Sequence, residues 1–438
     1  MNSHPQSEQK HLVFYFQVHQ PRRLKKFGFF DIGAKHEYFD DQLDEEIMNR
    51  VALTCYLPTN ALLLELINAN PAIKIAFSIS GTALEQFEKY TPEVIESFKA
   101  LAATGSVEFL AETSYHSLAS MIPGDEFQFQ VKQHSDNIEK LFGVRPSVFR
   151  NTELLYNDEI GRRVIQMGFS AILAEGVEHV LGDRSPYQVY HHFDGGDVKL
   201  LLRSNRLSDD IAFRFHHGAE KLTATQYMTW MNGLPDGERI VLLGMDYETF
   251  GEHHKKDTGI HAFIRDLLTK FSADPGFILT TPSAAAEAIQ PTSHYSTEEV
   301  ISWADKDKDV TAWLGNDMQL DAFHSVVRLE ADVKKSHNAS LLETWRNLMT
   351  SDHFYYMATK GDADGNVHTY FSHYRSPYEA FINYMNILSD FEIQIKESVA
   401  DYSEVSKLQE QERRTHLQPV WVEERAAAYR YEAAMSGR

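Results

Sequence analysis

RIVLLGMD, residues 239–246, is an unbroken apolar run that stops at a carboxylate. It is too short for a helix and lacks polar alternation, as expected of a strand buried on both faces. HLVFYFQV (11–18), AIKIAFSIS (72–80), SVEFLAE (106–112) and SVFRN (147–151) have the same texture. So do SAILAEG (170–176), VKLLLRS (198–204) and GFILTT (276–281). Amphipathic segments lie between them. ALLLELINAN (61–70) is one. TPEVIESFKALAATG (91–105) places Thr91 at an N-cap, Pro92 in the first turn and Gly105 as a stop. GDEFQFQVKQHSDNIEKLFG (124–143) starts at an Asp and ends at a Gly. This alternation predicts an α/β fold with a parallel sheet and crossover helices. About seven or eight strands suggest a closed or nearly closed barrel, with an open doubly wound sheet as the alternative. No G-x-G-x-x-G loop follows the first strand, which argues against dinucleotide binding.

Beyond residue 290 the pattern turns helical, as in LDAFHSVVRLEADVKKS (320–336), SLLETWRNLMTSDHFYYMATK (340–360) and the long stretch 376–411. The expected organisation is therefore an α/β unit over residues 1–290 and an appended helical region over 291–438. The formal net charge of -21, from 63 acidic and 42 basic side chains, repels nucleic acid and anionic membrane. It sets no barrier to a neutral ligand such as a sugar. With Cys55 as the only cysteine, neither a disulfide within the chain nor a cysteine zinc site is expected. The start, MNSHPQSEQK, is polar and LVFYF is too short for a signal core. No run approaches 18 apolar residues. A cytoplasmic protein without membrane contact is the expectation.

In parallel α/β folds, functional groups gather at the carboxyl ends of strands. Those ends carry Gln17-Val18-His19-Gln20-Pro21, Glu112 with Tyr115-His116, Arg150-Asn151-Thr152-Glu153, and Asp246-Tyr247-Glu248. Glu153 and Asp246 come from different strands and suit a two-carboxylate glycosidase, in which one acid stays ionised to attack and the other stays protonated to donate. Arg150 would favour an ionised Glu153, and a neighbour such as Glu248 would raise Asp246. Surface or capping acids would give the same pattern. His19 and His116 are candidate partners for sugar hydroxyls, or ordinary structural histidines. Trp303 and Trp313 are candidate stacking platforms for pyranose faces, or packing at the domain junction.

No His-Glu-x-x-His, Gly-x-Ser-x-Gly or phosphate loop is present. The pairs His191-His192, His216-His217 and His253-His254 are adjacent, so their side chains diverge on regular structure. Asp362-Ala-Asp364-Gly-Asn366 begins like a calcium loop but has Val367 and His373 at its sixth and twelfth positions. A turn is the better reading, and neither metal nor cofactor is expected.

Taken together, these stretches resemble glycoside hydrolase family 57 in its α-amylase and amylase-like branch. His19-Gln20-Pro21 looks like the first family motif, and Gly105-Ser-Val-Glu108 leading to Tyr115-His116 like the second. Arg150-Asn-Thr-Glu153 resembles the third, which carries the nucleophile at Glu153. Met245-Asp246-Tyr247-Glu248-Thr-Phe250-Gly251 resembles the fourth, which carries the acid/base at Asp246. Thr350-Ser-Asp352-His353-Phe-Tyr355-Tyr356 resembles the fifth, a substrate-site segment. The resemblance implies an incomplete (β/α)7 barrel followed by a helical bundle. It also implies retaining cleavage of α-1,4-glucosidic bonds in starch, glycogen or maltooligosaccharides, without a cofactor. His19, His116, Arg150, Glu248, Trp303, Trp313, Asp352, His353 and Tyr355 are the expected substrate-binding set. Arg150 stands where several members carry Trp, and Tyr355 and Tyr356 where several carry Trp or His, which bears on subsite specificity. A 4-α-glucanotransferase or branching enzyme and a non-catalytic glucan-binding protein are the alternatives. A metal-dependent carbohydrate deacetylase is a more distant one.

Overall fold

A computed structural model describes residues 9–217, 220–360 and 372–435, the last helix by its backbone alone from residue 410. The Asp362–Asn366 turn lies outside the described residues. The strands are β1 (Lys10–Val18), β2 (Ile75–Ile79), β3 (Val107–Phe109), β4 (Val148–Arg150), β5 (Ala171–Glu175) and β6 (Val189–His192). They continue with β7 (Lys199–Arg203), the two-stranded ribbon β8 (His216–His217) and β9 (Glu220–Lys221), β10 (Ile240–Asp246), β11 (Phe277–Leu279) and β12 (Ser293–Tyr295). The protein is an α/β fold built on a parallel sheet. β1 pairs in parallel with β2, β10 and β11, and β2 with β3. β4 pairs with β5, β5 with β7, and β7 with β10. A single parallel bridge, Ala111 to Phe149, joins the β3 side to β4, so the pairings lead back to β1.

The apolar runs become strands because both of their faces are covered. Leu12, Phe14 and Phe16 face a layer that includes Met48, Phe77, Leu243 and Phe271. Val13 and Tyr15 face an inner cluster with Ala76, Val148, Leu173, Leu201 and Leu242. Besides the short β8–β9 ribbon, two strands of the main sheet were not expected. β6 (VYHH) is antiparallel to β7, and β12 pairs with β6. The sheet therefore runs past residue 290, the expected boundary. Thr91 precedes the helix Pro92–Ala102 as expected, but its hydroxyl makes no cap bond.

Asp41–Ala69 forms one helical run, by length and composition long and apolar enough to cross a membrane, but 56% of its apolar window is buried inside the protein. At Ala52–Tyr56 it widens into a π turn. Such a turn inserts one residue into the ladder and re-aims the side chains around it. Here it seats the loop after β10: Cys55 Sγ donates to the Tyr247 carbonyl at 3.2 Å and Thr59 Oγ1 to that of Phe250 at 3.1 Å. Gly251 (φ +129°) meets this bulge so closely that a Cβ would lie 2.0 Å from the Thr54 carbonyl oxygen.

The helices after β12 pack around Trp313, Phe323, Trp345, Phe354, Tyr384 and Phe391. Leu24, Phe27, Tyr38, Leu118 and Leu155, from loops at the strand ends, belong to the same cluster. A buried ion pair, Arg346 Nε to Glu126 Oε1 at 2.7 Å, ties this region to the helix Glu126–Phe142. Gly251→Ala is expected to destabilise the chain by about 2 kcal/mol or more through the forced φ and the clash with Thr54. Urea unfolding checks this, and an unchanged midpoint would refute the close-seat argument.

Candidate active site

The carboxyl ends of β1, β2, β4 and β10 carry most of the polar groups that meet at one place. β4 is only three residues long and turns at once into Thr152–Leu154, where Glu153 (φ +55°) and Leu154 (φ +54°) are both left-handed. Such a conformation costs about 1–3 kcal/mol per residue and persists only where surroundings enforce it. Asn151 enforces it by donating from Nδ2 to the Leu155 carbonyl and to Ser120 Oγ, both at 2.9 Å. The turn throws the Glu153 carboxyl into the cleft with 17% of its side chain exposed.

Three donors face that carboxyl. Trp303 Nε1–H donates to Oε2 at 2.7 Å, Ser351 Oγ–H donates to Oε1 at 3.2 Å, and His116 Nε2 lies 3.4 Å from Oε1. His116 (φ +46°) is buried and its Nδ1 donates to Glu112 Oε2 at 2.7 Å. Glu112 also accepts from Gln17 Nε2 at 3.1 Å and Ser78 Oγ at 2.9 Å through its other oxygen. Burial disfavours charge on His116, but its bonds to Glu112 and Glu153 prevail and push its pKa up to about 9. Burial likewise works against Glu112 and Glu153. The His116 imidazolium outweighs it and holds both carboxyls below their ordinary values, with Arg150 assisting.

Asp246 closes β10 with its side chain half-buried. Burial first, and then the negative charge of Glu153, push it up to about 6. Arg150, His116 and Arg203 pull the other way. The cleft therefore holds one carboxyl kept ionised and another kept ready to carry a proton. Glu248, expected to raise Asp246, is instead raised itself, to about 8, by burial and by the Asp246 charge. It is 6% exposed and accepts from Tyr56 of the π turn and from Gln20 Nε2 at 3.4 Å.

His19 lies at the cleft with both ring nitrogens engaged, Nδ1 to Ser80 Oγ at 2.8 Å and Nε2 to Asp352 Oδ2 at 2.9 Å. Burial and the stacked His116 cation, 3.9 Å between ring centroids, keep it neutral. With both nitrogens taken, no ring nitrogen is left for a sugar, which corrects that expectation. Asp352, held ionised against burial by its bond with His19 and by the nearby His116 cation, has 20% of its side chain exposed. Its position is set by main-chain pairing: Leu118 N–H donates to the Met349 carbonyl at 3.1 Å, and Ser351 N–H to the His116 carbonyl at 3.0 Å.

Five other expected contacts also change. Arg150 is fully buried beneath the Trp303 ring, 4.6 Å from its centroid, and acts on the carboxyls through charge. His116 and Glu248 are too deeply buried to hold a sugar themselves. Trp313, 2% exposed, packs against Tyr355 in the helical core and offers no face to a ring. His353, 2% exposed, contacts the Asn347 carbonyl at 3.2 Å, and burial drives its pKa down to about 4. Tyr355 stays half-buried. Glu108, within the second motif, accepts from the Ser283 N–H and Oγ at 3.0 Å and holds the start of the helix Pro282–Ala288. Sequence reasoning had Glu112 among its strand-end groups and Ser351 inside the fifth motif but gave neither a role at the site, and Tyr56 had no signal at all.

The family model for glycosyl hydrolase family 57 matches residues 13–301, from within β1 to beyond β12. The chain belongs to that family. A Methanocaldococcus jannaschii relative, whose name assigns it provisionally to the alpha-amylases, is 40% identical over 408 residues, covering 89% of this glycoside hydrolase and 85% of its own length. A Pyrococcus furiosus alpha-amylase is 22% identical over 244 residues, covering 54% of this chain and 33% of its own. The solved family 57 branching enzyme of Thermococcus kodakaraensis superposes with TM-score 0.59 at 13% identity, over 80% of this chain and 86% of that one. The Thermotoga maritima alpha-amylase gives 0.57 at 12%, over 90% and 96%. At such identities the likeness concerns the fold. Among the described residues, no three His, Cys, Asp or Glu side chains are grouped to hold a metal ion.

The raised His116 pKa is linked to stability. Its contribution is fully present below the unfolded value near 6.5 and is lost as pH rises through about 9. Glu112→Gln removes one carboxylate from a buried pair and is expected to cost about 3–5 kcal/mol at neutral pH. It also flattens the loss of stability between those pH values. Urea titrations across pH check both, and an unaltered pH slope would count against the charged pair.

Proposed function

We propose that the protein cleaves α-1,4-glucosidic bonds of starch, glycogen or maltooligosaccharides by double displacement, with Glu153 as nucleophile and Asp246 as general acid/base. The observation that carries this reading is the opposite tuning of the two carboxyls, Glu153 held ionised and Asp246 raised to about 6. Oppositely tuned acids facing one site are what two-carboxylate glycoside cleavage requires, and the retaining course is what the family resemblance implies. Ionised Glu153 attacks the anomeric carbon while protonated Asp246 gives its proton to the leaving oxygen. Asp246, then a carboxylate, takes a proton from the incoming water. Asp352 accepts a sugar hydroxyl, and His19, His116 and Arg150 hold the charges from behind. The ring of pairings is consistent with an incomplete (β/α)7 barrel. The domain division falls after β12, with a helical region that supplies Ser351 and Asp352. We read the enzyme as cytoplasmic, from its composition alone.

Transfer to a second glucan is the other reading. It is favoured by a Thermococcus litoralis relative named 4-alpha-glucanotransferase, 22% identical over 188 residues. Maltotriose separates the two: hydrolysis leaves only shorter sugars, whereas transfer also makes longer ones. Glu153→Gln and Asp246→Asn are each expected to lower turnover by at least about 1,000-fold, with cooperative unfolding retained. Wild-type turnover in either variant would end this assignment. The kcat/KM profile should fall on the alkaline side of about 6, where Asp246 loses its proton. A profile flat through that region would contradict the acid role.

A further inference from the structure

Trp303 was expected as a platform for sugar rings, but its contacts point elsewhere. It lies just beyond the 13–301 span of the family model and is tied to Glu153 twice. Its backbone N–H donates to the Glu153 carbonyl at 3.3 Å, and its indole N–H to Glu153 Oε2 at 2.7 Å. The segment that carries it is braced. Ile301 bridges to Tyr156 and to Asp309, and Lys308 Nζ donates to the Trp303 carbonyl at 2.7 Å. Asp305 and Lys308 are both left-handed, so the turn is held against its own preference.

Two guanidinium groups lie against the same indole, Arg150 at 4.6 Å and Arg203 at 5.5 Å from the ring centroid. Arg203 cannot swing away. It donates to Glu175 at 2.9 Å, to Asp209 at 2.5 Å and to the Gly244 carbonyl at 2.7 Å. Cations over a π face draw electron density from the ring, and an indole so polarised is a better N–H donor. The oxygens of Glu153 are thereby made unequal. Oε2 has one short bond, whereas Oε1 has Ser351 at 3.2 Å and His116 at 3.4 Å.

We infer that Trp303 is a positioning residue that holds Glu153 Oε2 throughout the reaction and leaves Oε1 as the oxygen that attacks the sugar. The inference rests on the reading of Glu153 as nucleophile. A lone pair of Oε1 forms the bond to the anomeric carbon. The glycosidic bond breaks, and its electron pair goes to the leaving oxygen, which takes the proton of Asp246. Oε2 becomes the ester carbonyl and keeps its bond from the indole. In the second step an acceptor O–H adds to the anomeric carbon, its proton passes to Asp246, and the electron pair of the broken ester bond returns to Oε1. In the first step the Trp303 N–H fixes the carboxyl so that Oε1 faces the sugar, and in the second it stabilises the departing carboxylate.

Trp303→Phe keeps a flat ring and removes the donor, whereas Trp303→Ala removes both. On maltotriose, Trp303→Phe is expected to lower kcat about 10- to 100-fold, the worth of one hydrogen bond to a charged group. KM should change less than about 3-fold, and the acid limb of the pH profile should move upward because Glu153 loses a donor. If Trp303→Phe keeps wild-type kcat and acid limb while Trp303→Ala raises KM, Trp303 is a sugar platform and the inference falls. A second measurement needs no variant fold: in the wild-type protein the Trp303 indole proton resonance should shift as Glu153 titrates. A resonance that ignores that titration overturns the inference. Glu153→Gln run alongside separates the two readings, since wild-type turnover there would remove the nucleophile assignment itself.

Discussion

The site depends on one buried cation, the His116 imidazolium lying between Glu112 and Glu153. Burial alone would neutralise all three groups, and two bare carboxylates would repel each other in a low-dielectric interior. The shared proton makes the arrangement tolerable, and Glu112 transmits it to the sheet through Gln17 on β1 and Ser78 on β2. The rest of the charge pattern follows from that placement. Glu153 remains an anion, its charge raises Asp246, and Asp246 in turn raises Glu248. His19, stacked on the cation, stays neutral and serves as a donor to Asp352.

The helical region completes this pattern. Ser351 and Asp352 reach the cleft because residues 349–351 pair through their backbones with residues 116–118. The buried Arg346–Glu126 pair and the shared apolar cluster fix the same junction. A loose contact between the two regions would leave a carboxylate and a hydroxyl wandering near Glu153. Backbone pairing with a buried ion pair holds them within hydrogen-bond tolerance.

Much of this was legible in the chain. Strands covered on both faces announce themselves as apolar runs, and the acids at their ends, Glu153 and Asp246, were the natural candidates. β6 and β12 were harder to see, because HH and SHY segments at a sheet margin lack such runs. The π turn at Ala52–Tyr56 has no compositional mark, so the approach of Tyr56 to Glu248 was invisible. Exposure was the other hidden quantity. His353 and Trp313 have the chemistry of sugar contacts, yet tertiary packing encloses both. The rise of Asp246 was expected, but the carboxylate that assists it was not, for a related reason. Glu248 is its neighbour in sequence, whereas Glu153 acts on it across the cleft.

The partners of the Glu153 carboxyl are strung far along the chain: Trp303 is 150 residues after it, and Ser351 is 198 after it. His19 waits still longer for Asp352, 333 residues on. During synthesis the strands can therefore form before the cleft has its donors. A nascent chain that has just emerged past β12 carries both acids, but Glu153 then lacks its indole and hydroxyl partners and His19 lacks its acceptor. The order of translation thus delivers the two carboxylates first and most of their partners last.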